Sequence, residues 1–236
     1  TKINRETFAN CRKLTSIILP SSITFIGNKA FWRCKNLINI ELSSNLTNIE
    51  DEAFFGCEKL EEITFPKFVS RIGLNIFGGC SNLRNINVEQ GNLNYCSIEG
   101  VLYGDNGKTL IKYPQGRKET SFTILKEVVT IDDTAFTFCS YLKELIIEEN
   151  SQLSNIKSLA FVVCKINMII NNSSIYRTNV FNFMNKVSLN NSFSSLFNNW
   201  ILPHHFNIIK VVIHINILIS VHIHISIINI YINTFP

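Results

Sequence analysis

Residues 37–57 read LINIELSSNLTNIEDEAFFGC, and the same apolar frame returns in the segments before and after them. Each copy of the frame ends in a cysteine, and the cysteines follow one another at a step of 23 residues: Cys11, Cys34, Cys57 and Cys80. A phenylalanine precedes each of these cysteines by three positions, and a leucine follows each by three. A fixed apolar frame with variable positions between its members is typical of a solenoid, in which each repeat packs on its neighbours. The sequence therefore predicts a repeat protein.

The segment after each of these four cysteines has the two-residue period of a β-strand. An isoleucine stands six positions after the cysteine and another large apolar residue stands eight positions after it. Because successive side chains of a strand point to opposite faces, these two positions face the core, and positions five and seven face outward. The outward set is mostly polar, and stacked strands would present it as one continuous surface. We predict that this surface binds protein through Asn39, Glu41, Glu62, Thr64, Asn85, Asn87 and Glu144.

The frame is interrupted once, between Cys80 and Cys139. The interruption, an insert at about residues 91–127, contains the run GVLYGDNGKTLIKYP at 100–114, in which two β-prone halves flank Asp-Asn-Gly. Residues of these types tolerate positive φ at the tip of a hairpin, so the run predicts a β-hairpin insert. The hairpin also offers an alternative pair of aromatic anchors for a protein partner: Tyr103 and Tyr113.

The repeated cysteines are predicted to be buried core residues. Equivalent positions on stacked strands have parallel Cα–Cβ bonds, whereas a disulfide needs two Cβ atoms that face each other at about 3.8 Å. The chain also lacks the Cys-x-x-Cys pairs that are typical of structural zinc sites. Cys96 lies outside the ladder, and the pattern assigns it no role. His214, His222 and His224 would share one strand face, but we interpret them as incidental because no acidic residue is near, and we predict no metal site.

No catalytic motif is present in the sequence. It contains no Gly-x-Ser-x-Gly, no His-Glu-x-x-His and no phosphate-binding glycine loop, and every histidine lies beyond the last carboxylate residue, Glu149. The sequence therefore predicts a protein that is not an enzyme and that uses no cofactor. The formal net charge of +4 arises from an acid-free C-terminal part rather than from a basic cluster, so nucleic-acid binding is not expected.

The frame resumes at Cys139 and Cys164 but fails at Asn167, where a leucine is expected. We therefore predict a repeat domain at residues 1–170, followed by a low-complexity tail at 171–236 that is rich in isoleucine and asparagine.

Three interpretations of the tail stay open. Residues 208–232 have the length of a membrane anchor, although Lys210 and several histidines and asparagines would oppose insertion into hydrocarbon. The strict alternation at 213–225 has the period of a strand, which would add to the edge of the solenoid. The third interpretation is that the tail is translated from a non-native reading frame, since its residue types are those encoded by AT-rich codons.

The repeat resembles the BspA-like branch of leucine-rich repeat proteins. The unit of that family, roughly L-x-x-I-x-L-P-x-x-(I/L)-x-x-I-G-x-x-A-F-x-x-C, is matched by residues 14–34, 37–57 and 60–80. The hairpin run at 100–114 is also similar to a segment of this family. Thr7 and Ile76 depart from the pattern, because alanine is usual at their positions.

The resemblance implies an α/β repeat solenoid: a leucine-rich-repeat horseshoe with a parallel β-sheet on its concave face, one hairpin insert and an irregular C-terminal tail. It also implies a non-enzymatic protein-binding module similar to cell-surface antigens and adhesins, with host or extracellular proteins as partners. A location at the cell surface or outside the cell follows from the same resemblance. Two alternatives remain: a cytoplasmic repeat scaffold, which unpaired cysteines would favour, and a decayed or truncated gene product without function.

Overall fold

The computed structural model describes residues 1–157 and 159–170, together with the backbone of residues 210–216 and 230–233. Short strands make up nearly all of its regular structure. In chain order they are β1 (Lys2–Ile3), β2 (Ser16–Ile18), β3 (Phe25–Ile26), β4 (Asn39–Glu41), β5 (Asn48–Ile49), β6 (Glu62–Phe65), β7 (Arg71–Ile72), β8 (Asn85–Val88), β9 (Tyr95–Ile98), β10 (Val101–Gly104), β11 (Thr109–Lys112), β12 (Ser121–Ile124), β13 (Thr130–Ile131), β14 (Glu144–Ile147), β15 (Asn155–Ile156), β16 (Lys165–Ile170), β17 (Lys210–Asn216) and β18 (Ile230–Asn233).

Each regular repeat contributes one strand to each of two parallel ladders. The first ladder, here called the concave sheet, consists of β2, β4, β6, β8, β12, β14 and β16. Its strands pair in register one repeat apart within three groups, β2–β4, β6–β8 and β12–β14–β16, with Ile17 opposite Ile40 and Ile63 opposite Ile86. Among these described strands, β4 and β6 are neighbours that are not paired. The second ladder consists of β1, β3, β5 and β7, and it continues after the insert with β11, β13 and β15. Equivalent residues of successive repeats therefore face each other, which confirms the predicted solenoid.

The rest of each repeat consists of tight turns, and the described residues contain no α-helix. In the turns before Cys11, Cys34, Cys57, Cys80 and Cys139, two residues have positive φ: the one five positions before the cysteine and the one immediately before it. In the repeat that ends at Cys57 they are Glu52 at 53° and Gly56 at 73°. A right-handed helix does not pass through left-handed residues, so this segment turns instead of coiling. The same two offsets have positive φ in other repeats: Glu6, Asn10, Lys29, Arg33, Asn75, Gly79, Thr134 and Phe138.

Two columns of side chains fill the interior. Phenylalanine rings stack from repeat to repeat, with centroid distances of 5.1 Å for Phe8–Phe31, 5.4 Å for Phe31–Phe54 and 5.9 Å for Phe54–Phe77. Beside the rings, a thiol donates to the carbonyl of the phenylalanine one repeat earlier, as Cys57 Sγ does to Phe31 O at 3.2 Å. The predicted ladder of buried free cysteines is confirmed for Cys34, Cys57, Cys80, Cys139 and Cys164.

The predicted hairpin insert is confirmed, and the structure adds one strand to it. β10 and β11 pair antiparallel around a 3-10 turn at Asp105–Gly107, and β9 pairs with the other edge of β10. β11 then runs parallel to β13, with Leu110 opposite Ile131, so the end of the hairpin enters the second ladder. Cys96 lies half-buried in β9.

After the hairpin, two residues occupy the positions that phenylalanine and cysteine have in a regular repeat. The ring of Tyr113 stacks on Phe136 at 5.6 Å. Gln115 Nε2 donates to Phe77 O at 3.1 Å, the kind of acceptor that a thiol binds elsewhere. The prediction that Tyr103 and Tyr113 anchor a partner is wrong, because each is only 1% exposed. Large aromatic rings beside the core are buried by the same hydrophobic effect that buries the phenylalanines.

Lys112 is a buried lysine at the end of β11. Its Nζ donates to Thr134 O at 2.9 Å and to Thr137 O at 3.2 Å. Between regular repeats a backbone N–H bonds the corresponding carbonyl, as Asn10 N does to Trp32 O at 2.7 Å. The ammonium group thus supplies donors that the backbone of the insert does not, and burial lowers the pKa of this amine.

The C-terminal part of the chain adds two strands to the concave sheet. β16 pairs antiparallel with β17, and β17 pairs antiparallel with β18. The strand predicted at 213–225 overlaps the end of β17, and residues 217–225 lie outside the described residues. Within the described part of the chain, no helix is long and apolar enough to cross a membrane. The domain boundary at residue 170 stays a prediction.

Candidate protein-binding face

The pleat of β4 and β6 places four of the predicted binding residues on the outer side of the concave sheet. In β4, Asn39 and Glu41 are exposed while Ile40 between them is buried. In β6, Glu62 and Thr64 are exposed in the same way. Burial of the alternate aliphatic residues fixes this orientation, because a shift of one residue would expose the whole apolar set.

These four residues line one groove of about 410 Å³, together with Glu89 from the loop after β8. The lining residues include three carboxylates, from Glu41, Glu62 and Glu89, and neither lysine nor arginine. A groove with charges of one sign concentrates ligands of the opposite sign near its surface. The N-terminal half of the concave sheet therefore favours a cationic partner surface.

The other predicted residues lie outside this groove. Asn85 and Asn87 lie on β8, next to β6, and Asn87 is half-buried. Glu144 lies on β14, opposite Ser121 of β12 and beyond the insert. The insert therefore divides the predicted surface into two patches.

A second groove, of about 530 Å³, lies beside β12, and no sequence pattern predicts it. Arg117 organises one wall of this groove: its Nη1 donates to Glu99 O at 2.6 Å and its Nη2 donates to Glu119 Oε1 at 3.0 Å. The hydrogen bond from Arg117 lowers the pKa of the Glu119 carboxyl group. An Arg-x-Glu sequence is too common to signal a groove before the fold is known.

The buried titratable groups serve the core. Burial raises the pKa of the Cys34 thiol to about 11 and the pKa of the Cys80 and Cys139 thiols to about 12. The thiolate is the reactive form of cysteine, so these side chains are poor nucleophiles at neutral pH. No cluster of histidine, cysteine and acidic side chains that could hold a metal ion occurs among the described residues.

Comparison with solved structures extends the description of this fold. The pneumococcal vaccine antigen PcpA is 33% identical, with a TM-score of 0.61 over 69% of this chain and 40% of that chain. A leucine rich cell surface protein from Faecalibacterium prausnitzii is 30% identical, with a TM-score of 0.55 over 65% of this chain and 44% of that chain. A leucine-rich repeat protein from Eubacterium ventriosum, 22% identical with a TM-score of 0.54, shares the fold over 73% of this chain and 58% of that chain.

The chain thus spans less than half the length of the first two of these proteins. No curated protein matches the chain significantly. A family model described as the BspA type leucine rich repeat region, in six copies, matches residues 1–106 and 115–235. With this match, and with the stacked strands and the core ladders described above, the chain belongs to the BspA-type leucine-rich repeat family.

Proposed function

We propose that this chain is a non-enzymatic protein-binding module of a cell-surface protein, with an antigen-like or adhesin-like role. The observation that carries the proposal is the acidic groove of the concave sheet, where Asn39, Glu41, Glu62 and Thr64 stand exposed on two neighbouring strands. Side chains in this position can be exchanged without altering the core, because the aliphatic residues between them carry the packing. Such a surface suits recognition of another protein.

The proposed partner is a host or extracellular protein that presents basic side chains to the groove. The location at the cell surface rests on the similar structures, one described as a vaccine antigen and one as a cell surface protein. The alternative is a cytoplasmic scaffold, which the seven free cysteines favour because reducing compartments keep thiols unpaired.

Antibody labelling separates these two locations. We expect an antibody against the repeat domain to label intact cells, and labelling that appears only after permeabilisation would favour the cytoplasmic scaffold.

Binding to a panel of purified extracellular proteins tests the groove. A variant with Glu41→Lys and Glu62→Lys should lose binding to any basic partner, since it reverses two of the three carboxylates. The matched control reverses Glu50 and Glu52 to lysine, on the turn after β5 and away from the groove. Equal losses in the two variants would contradict the assignment of binding to the concave sheet.

A further inference from the structure

The described strands of the concave sheet form three separately paired groups, and one of the two breaks between them lies at the insert. Among the described residues, β8 pairs only with β6 in this sheet, and β12 pairs only with β14 on the other side of the interruption. The insert covers part of the β8 edge, because Ile86 N donates to Gly100 O at 2.9 Å. No strand of the described chain covers the edge of β12.

The open edge of β12 presents a defined set of backbone groups. Glu144 N donates to Thr120 O at 2.9 Å, which fixes the register of the parallel pair. In a parallel ladder, the backbone groups of alternate residues point to opposite sides of the strand. The backbone carbonyl of Thr120 points toward β14. The backbone N–H and C=O groups of Ser121 and Thr123 therefore point away from β14, toward the second groove.

The groove beside this edge has an apolar floor. Phe122 packs edge-on against the ring of Tyr113, with their centroids 4.9 Å apart, and Ile124 and Leu125 line the same groove. Phe122 is half-buried, whereas Leu145, its partner on β14, is fully buried. Phe122 therefore keeps exposed apolar surface that an apolar side chain of an additional strand can cover.

The rim of the groove is acidic. Glu99, Glu119, Glu127 and Glu148 line it, against two cationic residues, Arg117 and Lys126. Both cationic side chains are already engaged, Arg117 by Glu119 at 3.0 Å and Lys126 by Glu127 at 3.8 Å. The remaining charge on the rim is negative and favours a basic ligand.

We propose that this groove binds an extended peptide segment of a partner protein, which adds to the free edge of β12 as a further strand. The peptide alternates apolar residues, which pack on the half-buried ring of Phe122, with basic residues, which face the acidic rim. Main-chain hydrogen bonds to Ser121 and Thr123 provide affinity, and the alternating side chains provide specificity. The inference rests on the proposed function, since it identifies the class of partner that the binding module recognises.

Binding of a synthetic peptide to the full chain tests the inference. The probe is an acetylated and amidated octapeptide, KIKVKLKV, labelled for fluorescence anisotropy. Thr123→Pro removes an N–H of the free edge and leaves the bonds to β14 in place, a position where edge strands tolerate proline. We expect it to weaken binding by about tenfold through the lost hydrogen bond and its paired contacts.

The matched control is Thr123→Val, which keeps the backbone N–H and the β-branched shape, and it should bind the peptide as the parent chain does. A peptide with glutamate in place of each lysine should bind at least about tenfold more weakly, because it meets the acidic rim with like charges. Hydrogen exchange supplies a direct readout: bound peptide should protect the amides of Ser121 and Thr123 from exchange.

Unchanged affinity of a folded Thr123→Pro variant, or unprotected Ser121 and Thr123 amides, would overturn strand addition. If binding is instead lost in the Glu41→Lys, Glu62→Lys variant, the peptide occupies the first groove, and the proposed function stands without this inference. Loss of binding in Thr123→Pro, together with an antibody that labels only permeabilised cells, would sustain strand addition and reject the surface role. Concentration-dependent dimers that Thr123→Pro abolishes would assign the edge to a second copy of this chain and reject a partner peptide.

Discussion

In the first repeats, a thiol donates to the carbonyl of a phenylalanine one repeat earlier, whereas at the hairpin junction the donors are Gln115 Nε2 and Lys112 Nζ. Tyr113 begins a second aromatic column, since it stacks on Phe136, and the buried apolar residues before and after the junction form two separate clusters. The concave sheet does not continue across it, since β8 and β12 are not paired. The comparison shows that the hydrogen bonds to buried carbonyls continue across an insertion at which the apolar core and the concave sheet are both divided.

The reason lies in what each structure requires. The hydrogen-bond ladder needs only a donor for each buried carbonyl, and several residue types can supply one. An unpaired buried carbonyl costs about 1–3 kcal/mol, which is why the junction supplies the amide of Gln115 in place of a thiol and the ammonium group of Lys112 in place of a backbone N–H. The sheet instead needs a strand at the same position in every repeat. The strands of the insert pair with one another and with the second ladder, so they leave that position between β8 and β12 unfilled.

The largest expected effect tests whether the two aromatic positions are equivalent. Phe54→Ala and Tyr113→Ala should each lower the free energy of unfolding by about 3–5 kcal/mol, because each removes a buried ring that packs on two neighbouring rings. Tyr113→Phe is the control: the buried Tyr113 hydroxyl has no hydrogen-bond partner, so its loss should leave stability unchanged or raised. Urea unfolding measures all three variants. If Tyr113→Ala lowered the free energy of unfolding much less than Phe54→Ala does, the two aromatic positions would not be equivalent.

A second prediction uses pH to separate the thiol ladder from the junction. Burial raises the pKa of Cys80 from 9.0 to about 12, so the folded state keeps a proton that the unfolded state loses above pH 9. Stability is therefore complete below pH 9 and falls as pH rises toward 12. Each such thiol contributes a slope of about 1.4 kcal/mol per pH unit, and Cys80→Ala should reduce the slope by that amount.

Lys112 should act with the opposite sign. Burial lowers its pKa below 10.5, so between the folded-state pKa and 10.5 the unfolded state binds more protons and stability rises with pH. Lys112→Met removes this opposing contribution, and the alkaline loss of stability should become steeper. Unfolding curves at pH 8 to 10.5 check both variants, and equal slopes in Lys112→Met and the parent chain would contradict a buried amine.

Sequence reasoning reached the repeat, the core columns and the hairpin because each depends on residue type at a fixed spacing. It missed the roles of Tyr113 and Gln115, since these depend on which carbonyl lies opposite them after the chain has turned. It also missed the turns, because Glu52 and Arg33 are not residue types that signal positive φ. The groove beside β12 could not be predicted for a different reason. It exists because no strand pairs with the edge of β12, and no local sequence pattern indicates a missing neighbour.

A third prediction compares two turns at the same offset, one position before the cysteine. Gly56 has a φ of 73° in a regular repeat, and Val163 has a φ of 55° in the last one. A β-branched residue is strained there by about 1–2 kcal/mol, so Val163→Gly should raise stability by about 0.5–1 kcal/mol after the entropic cost of glycine. Gly56→Val should lower stability, since its Cβ would also approach Arg33 Cγ at 3.1 Å. Thermal unfolding measures both, and a loss of stability in Val163→Gly would reject strain at this turn.

The smallest expected effect concerns the C-terminal segment. Stability in a solenoid is a sum over repeats and nearest-neighbour interfaces, so truncation after Ile170 removes at most one terminal interface. The unfolding midpoint should stay almost unchanged, and labelling by a thiol reagent should accelerate only at Cys164, while Cys57 stays protected. Half-buried Cys11, at the opposite end, is the internal control and should label at the same rate in both chains. A sharp fall in the midpoint with faster labelling of Cys57 would instead make the β16–β17 pair a cap that closes the apolar end of the stack.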